Sequence, residues 1–382
     1  MVTELFRGTS FDREARKPLV ERALDNLGGV TGGKLDGARV LVTGARGFFG
    51  RYVVEALLEM NNRGAHAHPI EIVAADSYAV GNDEARVEEW RNAPNLTLWR
   101  CNIAHAGGGL PLIGNRHFTH IWHLAGIASP YWYKKLPEET IAVAVDGTRN
   151  MLRAAREHDA RFMFTSSSEV YQTANEVPTP ESYVGAIPST NERSCYDVSK
   201  LMAETLCYVE ALKHGTHTSA IRIHNTFGPG MAEVDRRILP RIASAMKGGR
   251  EMKVFAKGDH QIHLPTRTYS PAANTLLGFL KVALEGVSMG TPHAPPAHGI
   301  YNVGLDTDEI TVPQLISRCV KSSGKELAYK LVQPPEHYET EPMRRCPDLT
   351  KLRALGWSPC MSLDEGVEHF FKWSQQSYQG ID

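Results

Sequence analysis

Two tyrosines stand four residues ahead of a lysine: Tyr131 before Lys135, and Tyr196 before Lys200. On a helix, positions i and i+4 share a face. An ammonium beside a phenol lowers the phenol's pKa from about 10 and makes it a proton acceptor for an alcohol. An oxidised nicotinamide, also cationic, acts in the same direction. The chain has 13 tyrosines, so spacing alone does not separate the two pairs. Context does. Tyr196 opens the amphipathic run CYDVSKLMAETLCYVEALKHG and follows the apolar segment RFMFTSS, whose end supplies Ser167 as a hydroxyl for the same substrate oxygen. Tyr131 lies in the loop ASPYWYKKLP and reads as an aromatic wall.

A base that oxidises an alcohol needs an electron acceptor. The segment ARVLVT runs into GARGFFG and then into an amphipathic stretch, so Gly44, Gly47 and Gly50 carry the Gly-x-x-Gly-x-x-Gly spacing between a strand and a helix. Such glycines allow a tight turn and close approach of the backbone to a pyrophosphate on the helix N-terminus. Asp76 ends the next apolar segment, IEIVAAD, where a carboxylate bonds the adenosine ribose hydroxyls and favours NAD over NADP. Arg46 pulls the other way but stands against Asp76.

These groups need a scaffold. From residue 38 apolar strands alternate with helical stretches: ARVLVTG, IEIVAAD, NLTLWRC, THIWHLAG, RFMFTSS and SAIRI give six strands, and TIAVAVDGTRNMLRAAREH reads as one helix. The alternation predicts an α/β, Rossmann-like doubly wound parallel sheet with its ligand crevice at the strand carboxyl ends. Residues 1–37 read as an N-terminal helical extension ending in a Gly-rich hinge, 38–228 as the dinucleotide-binding domain, and 229–382 as a smaller substrate lobe partly interleaved with it. Helices are expected near 236–248, 272–286, 312–322 and 363–378, separated by connectors such as MGTPHAPPAHG.

Composition excludes other classes. The 382 residues hold 42 Lys plus Arg against 43 Asp plus Glu, with none of the basic excess of a general nucleic-acid binder. No apolar run reaches the roughly 18 residues of a membrane span, and the N-terminal segment lacks a basic-then-apolar signal, so a cytoplasmic protein is expected. Six scattered cysteines with no CxxC argue against a disulfide or zinc framework. His117, His120 and His123 are three apart, so on a strand they alternate faces and no metal site is expected. Cys195 has no assignable base and reads as packing.

The segments TGARGFFG, HLAG, TSSSEVY, YDVSK, RIHNTFGPGM and LGWSP together resemble the extended short-chain dehydrogenase/reductases that act on nucleotide sugars. Within that group TSSSEVY, NERSCYDVSKLMAETLCY and RRCPDLTKLRALGWSP are most similar to the UDP-glucuronate decarboxylases. The resemblance implies Ser167 as hydroxyl partner, Tyr196 as base, Lys200 as its tuner, and Ser168 and Glu169 near the sugar ring. It implies Phe48, Phe49, Asn102, Ile103, Leu124 and Ala125 around NAD, and Tyr133, Asn225, Arg237, Arg267 and Arg345 around the substrate. The family's 4,6-dehydratases carry Asp-Glu where this chain has Ser168-Glu169, which lowers that reading.

The implied reaction is transient oxidation at sugar carbon 4, loss of the 5-carboxylate as carbon dioxide, and hydride return, with Tyr196 and Ser167 holding the developing oxyanion. Glu169 or a water delivers the proton at carbon 5. The alternatives are a UDP-hexuronate 4-epimerase or a related epimerase or dehydratase, and a non-catalytic NAD-binding protein. A homodimer through the helix after Tyr196 is implied as well. Departures from the family pattern are Ala144, Asn102, Asn274, Gly230, Lys134, Lys135 and the stretched loop GDHQIHLPTRTY; together they predict a remodelled substrate end.

Overall fold

The computed structural model describes residues 10–28, 33–79, 90, 92–105, 117–256, 263–334 and 342–381. Seven strands form the main sheet: β1 (Arg39–Thr43), β2 (Glu71–Asp76), β3 (Leu96–Arg100), β4 (His120–His123), β5 (Arg161–Ser167), β6 (Thr218–Ile223) and β7 (Ile300–Val303). Their spatial order is β7-β6-β5-β4-β1-β2-β3, and every ladder is parallel. The order reverses between β1 and β4, the switch point where doubly wound sheets bind ligands. The central strands read as near-continuous apolar runs because helices cover both faces. The expected doubly wound α/β fold is the one observed.

One face carries α1 (Ser10–Asp25), α2 (Phe48–Asn62) and α6 (Ala272–Glu285). Their Leu19, Ala23, Leu57, Leu276 and Phe279 share one core with Val40 and Val42 of β1. The segment expected as an N-terminal extension thus contributes α1 to the sheet's own core. The other face carries α3 (Thr148–His158) and α4 (Ser194–His214), packed on Leu41, Ile121 and Phe162. A third core, around Leu315, Val367 and Phe370, joins α5 (Ile238–Gly248), α7 (Val312–Ser323) and α8 (Leu363–Ser377). The four helices expected in the second half are α5, α6, α7 and α8, within two residues at each end.

Two differences are physical. The sequence reading counts six strands, whereas β7 pairs with β6 as a seventh; it is four residues long and follows a Pro-rich connector, too short to show a period. The stretch expected as one helix is Pro137–Ala142, a π-turn over Val143–Gly147, and α3. No helix among the described residues is long and apolar enough to cross a membrane.

Candidate active site

The ends of β1, β4 and β5 and the start of α2 border one crevice. At Gly44, φ is +67° and a Cβ would lie 2.6 Å from the Ala125 backbone, so only glycine lets these strand ends approach. A Cβ at Gly50 would fall 2.1 Å from the Gly44 carbonyl oxygen, so the turn packs directly on the helix. Gly47 is the N-cap of α2, with no side-chain cap and no acid in the first turn. Uncapped amides at a helix N-terminus form a seat for a pyrophosphate, and Gly47, Phe48, Phe49 and Gly50 line the cavity beside it. The residues therefore fit a dinucleotide.

Its adenine side is a cavity of about 190 Å³ that Asp76, Asn102, Ile103, Leu124 and Ala125 line. The Asp76 carboxylate accepts the Arg46 backbone N–H at 3.0 Å. Asn102 turns onto its own loop, its amide oxygen accepting from Ala104 N–H. Val143 of the π-turn also borders this cavity.

The neighbouring cavity, about 470 Å³, gathers Ser167 from β5, Ser168 and Glu169 from the 3-10 turn Ser168–Tyr171 that follows it, and Tyr196 and Lys200 from α4. From other elements it takes Tyr133, Asn225, Arg237, Arg267 and Arg345, so every residue expected at the substrate meets in one space. Tyr133 stacks flat on Tyr196, ring centroids 5.2 Å apart. Among the described residues, the buried Tyr133 hydroxyl has no hydrogen-bond partner, and neither has Arg345 Nε. Asn225 Nδ2 donates to the Thr268 carbonyl, Arg267 Nη1 to that of Thr266, and Arg237 is paired with Asp235.

Burial pushes the Tyr196 phenol up to about 12, with the Ser167 hydroxyl in hydrogen-bonding range pulling it down and the Glu169 and Asp197 carboxylates pushing it up. Lys200 is pulled down to about 8 by burial; its Nζ donates to the Thr165 carbonyl at 2.8 Å and lies 5.8 Å from the Tyr196 ring centroid. The sequence reading expects a phenol lowered by Lys200. The value is raised instead, because enclosure outweighs an ammonium that donates to the Thr165 carbonyl. The pair that does touch is the other one: Lys135 Nζ donates to the Tyr131 hydroxyl at 2.6 Å, outside this cavity.

Burial also pushes Glu169 up, but the guanidiniums of Arg345 and Arg193 grip its carboxylate and hold it at about 2. The two guanidiniums therefore favour the ionised form of Glu169 over the protonated form that a donor to carbon 5 would need. Arg193 and Asp197 are absent from the sequence reading. Asp197 is raised to about 7 by burial and by Glu169, and takes a hydrogen bond from Gln172 Nε2. Their flanking of Tyr196 is a signal, but Arg193's partner lies 24 residues away on another element.

Two departures are structural. Asn274 is fully buried and clamps the C-terminal loop, accepting from Cys360 and Met361 N–H and donating to the Met361 carbonyl. The Gly230 carbonyl accepts from Arg51 of α2 at 2.6 Å. Neither lines the cavity, so these two are not evidence of a remodelled substrate end; of the stretched loop, 258–262 lie outside the described residues, whereas Leu264, Pro265, Arg267 and Tyr269 line the cavity. His123 is held between the hydroxyls of Thr43 and Thr148, and the His117 ring meets that of His158 edge-on.

With that geometry in place, the chain was compared with known proteins. Residues 40–264 match the profile of the NAD dependent epimerase/dehydratase family. UDP-glucuronic acid decarboxylase 5 of Arabidopsis thaliana is 32% identical over 330 residues, covering 86% of this chain and 87% of that protein. UDP-glucuronic acid decarboxylase 1 of Xenopus tropicalis is 29% identical, covering 88% and 73%. The UDP-glucuronic acid 4-epimerase of Bacillus cereus, crystallised with UDP-glucuronic acid and NAD, superposes with a TM-score of 0.72 at 22% identity over 89% of this chain and all of that one. At that identity the superposition shows a common fold.

Proposed function

This chain belongs to the NAD dependent epimerase/dehydratase family, and from that premise we propose that it decarboxylates a nucleotide-linked uronic acid, UDP-glucuronate or a close analogue. The observation that carries this is the charge around Glu169. Arg193 and Arg345 hold one carboxylate between them, with Arg267 adding its field, so the pocket beside the phenol retains positive charge, and Arg345 Nε lacks an acceptor. A uronate would place its own carboxylate there. The decarboxylase names of the relatives point the same way.

Tyr196 accepts the proton of the sugar 4-hydroxyl while Ser167 donates a hydrogen bond to the same oxygen. NAD+, held by the Gly44–Gly50 turn and by Asp76, would supply the hydride acceptor and donor for carbon 4. The resulting ketone lies β to the carboxylate, so carbon dioxide leaves with its electrons delocalised onto the carbonyl oxygen, where Ser167 and Tyr196 hold the developing charge. Glu169 stays ionised and positions the two guanidiniums, and water supplies the proton at carbon 5. Asn225, Arg237 and Arg267 serve the diphosphate end, and Tyr133 offers its unpartnered hydroxyl to the sugar.

Val198, Leu201, Met202, Tyr208, Val209 and Leu212 are exposed along one stripe of α4. Spaced at helical intervals, they support a homodimer through this face.

Incubation with UDP-glucuronate and NAD+ tests the reaction. Release of carbon dioxide with a UDP-pentose product is expected; a UDP-galacturonate product with the carboxylate intact would make the protein a 4-epimerase instead.

A further inference from the structure

Behind the substrate cavity, on β7, stands an asparagine that does not line it. Asn302 is fully buried, and its side-chain amide makes the four hydrogen bonds that an amide can make. Nδ2 donates to the Thr179 carbonyl at 2.9 Å and to the Asp348 carbonyl at 3.0 Å. Oδ1 accepts from the Tyr171 hydroxyl at 2.7 Å and from His224 Nε2 at 3.3 Å. Two carbonyls on one side fix which way the amide faces, so Tyr171 and His224 are the donors on the other. Burial pulls His224 down to about 3, so its ring is neutral and carries its one proton on Nε2.

These partners are the backs of segments whose fronts form the site. Tyr171 closes the turn that carries Glu169, Asp348 follows Arg345 in the C-terminal segment, and His224 precedes Asn225. Glu169, Arg345 and Asn225 all line the cavity. Thr179 reinforces the Arg345 segment: its N–H donates to the Cys346 carbonyl, and its carbonyl accepts from Asp348 N–H. The Glu169–Arg345 ion pair joins residues 176 positions apart, so its geometry depends on what holds the two backbones. One amide does so from behind.

We propose that Asn302 is a positioning residue for carboxylate recognition: by tying the Ser168–Tyr171 turn to the 345–348 segment, it holds Glu169 against Arg345 and keeps Arg345 placed for the acid group of the sugar. The inference rests on reading this pocket as a uronate site. A primary amide supplies two donor and two acceptor positions on a short side chain. A carboxylate in its place would turn two attractions into repulsions with carbonyl oxygens. A serine hydroxyl, shorter and with one proton, would reach only some of the four partners and leave the others buried and unpaired. Either change loosens the common fastening of the two segments. The dinucleotide turn after β1 and Asp76 at the end of β2 lie on the other half of the sheet from β7 and are untouched.

Equilibrium titration of the NAD+-loaded protein with UDP-glucuronate and with UDP-glucose, whose sugar lacks the carboxylate, tests this in a Tyr196→Phe background that blocks turnover. Asn302→Asp, or Asn302→Ser should the first variant fold poorly, is expected to weaken UDP-glucuronate binding by roughly tenfold, the scale of one hydrogen bond to a charged group. UDP-glucose and NAD+ affinities are expected to stay within roughly twofold, as for a distant and independent site. In an Arg345→Ala protein the same substitution is expected to change the UDP-glucuronate/UDP-glucose affinity ratio no further. Equal losses for the two sugars would make Asn302 a general support of the fold and overturn the inference, as would an unchanged ratio or a further change in the Arg345→Ala protein. A starting protein that binds UDP-glucuronate no better than UDP-glucose would instead sink the parent reading of the pocket, and the inference with it.

Discussion

Burial pushes the Tyr196 phenol up to about 12, so in the proposed reaction it would need the positive charge of a bound oxidised dinucleotide to serve as a base near neutrality. Tyr196→Phe is expected to cut turnover by roughly 10²–10⁴ while NAD+ binding persists, read by product formation alongside equilibrium titration. Glu169 is a different case. Glu169→Gln removes the carboxylate that Arg345 and Arg193 share; Arg193 keeps Asp197, while Arg345 turns to the substrate's own carboxylate, which binds the ground state more tightly and makes the carboxylate harder to release. A lower KM together with a lower kcat is the expected signature in steady-state kinetics. Ser167, Tyr196 and Lys200 were legible in the sequence because strand, turn and helix carry them in fixed order. Arg193 was not, since its role depends on an acid from a different element, and Asn274 misled because a buried amide clamp and a substrate contact look alike as a one-letter substitution.

Among elements, the legible ones were those long enough to show a period. The main helices and six of the strands declare themselves, whereas β7 earns its place only by pairing with β6, and the π-turn at Val143–Gly147 interrupts a helix whose residue pattern is unbroken. The role of α1 was hidden altogether. Arg16 of α1 is bonded to Glu55 of α2, Asp12 is paired with Arg51, and Arg51 holds the Gly230 carbonyl in the loop that leads to Arg237. Helix α2 therefore ties the dinucleotide turn at its N-terminus to the substrate wall through side chains one turn further on. Arg51→Ala leaves Asp12 buried without its cation, so a loss of about 3–5 kcal/mol is expected in denaturant titration, with weaker UDP-sugar binding in the fraction that folds.

For the whole molecule, acid is the expected weakness. Burial lowers His123 and His224 to about 3 and His120 and His217 to about 4, all below the ordinary 6.5. The unfolded chain therefore takes up protons that the folded one refuses, and stability falls as pH drops from about 6.5 towards 3–4, by up to about 1.4 kcal/mol per unit for each ring. Melting curves at pH 7, 5.5 and 4.5 should show this, with a shallower slope in His123→Gln. Assembly should respond to the α4 stripe: Leu201→Glu with Met202→Lys is expected to leave a monomer in sedimentation, whereas the unaltered chain is expected to sediment as a dimer. Finally, the indole N–H of Trp373 in α8 donates to Asp12 of α1 at 2.7 Å, a contact between residues 361 positions apart. During synthesis at roughly 5–20 residues per second, Asp12 waits on the order of half a minute for that partner, long after α2 has reached the apolar side of α1. The clasp between α1 and α8 is therefore among the last contacts of the fold to close.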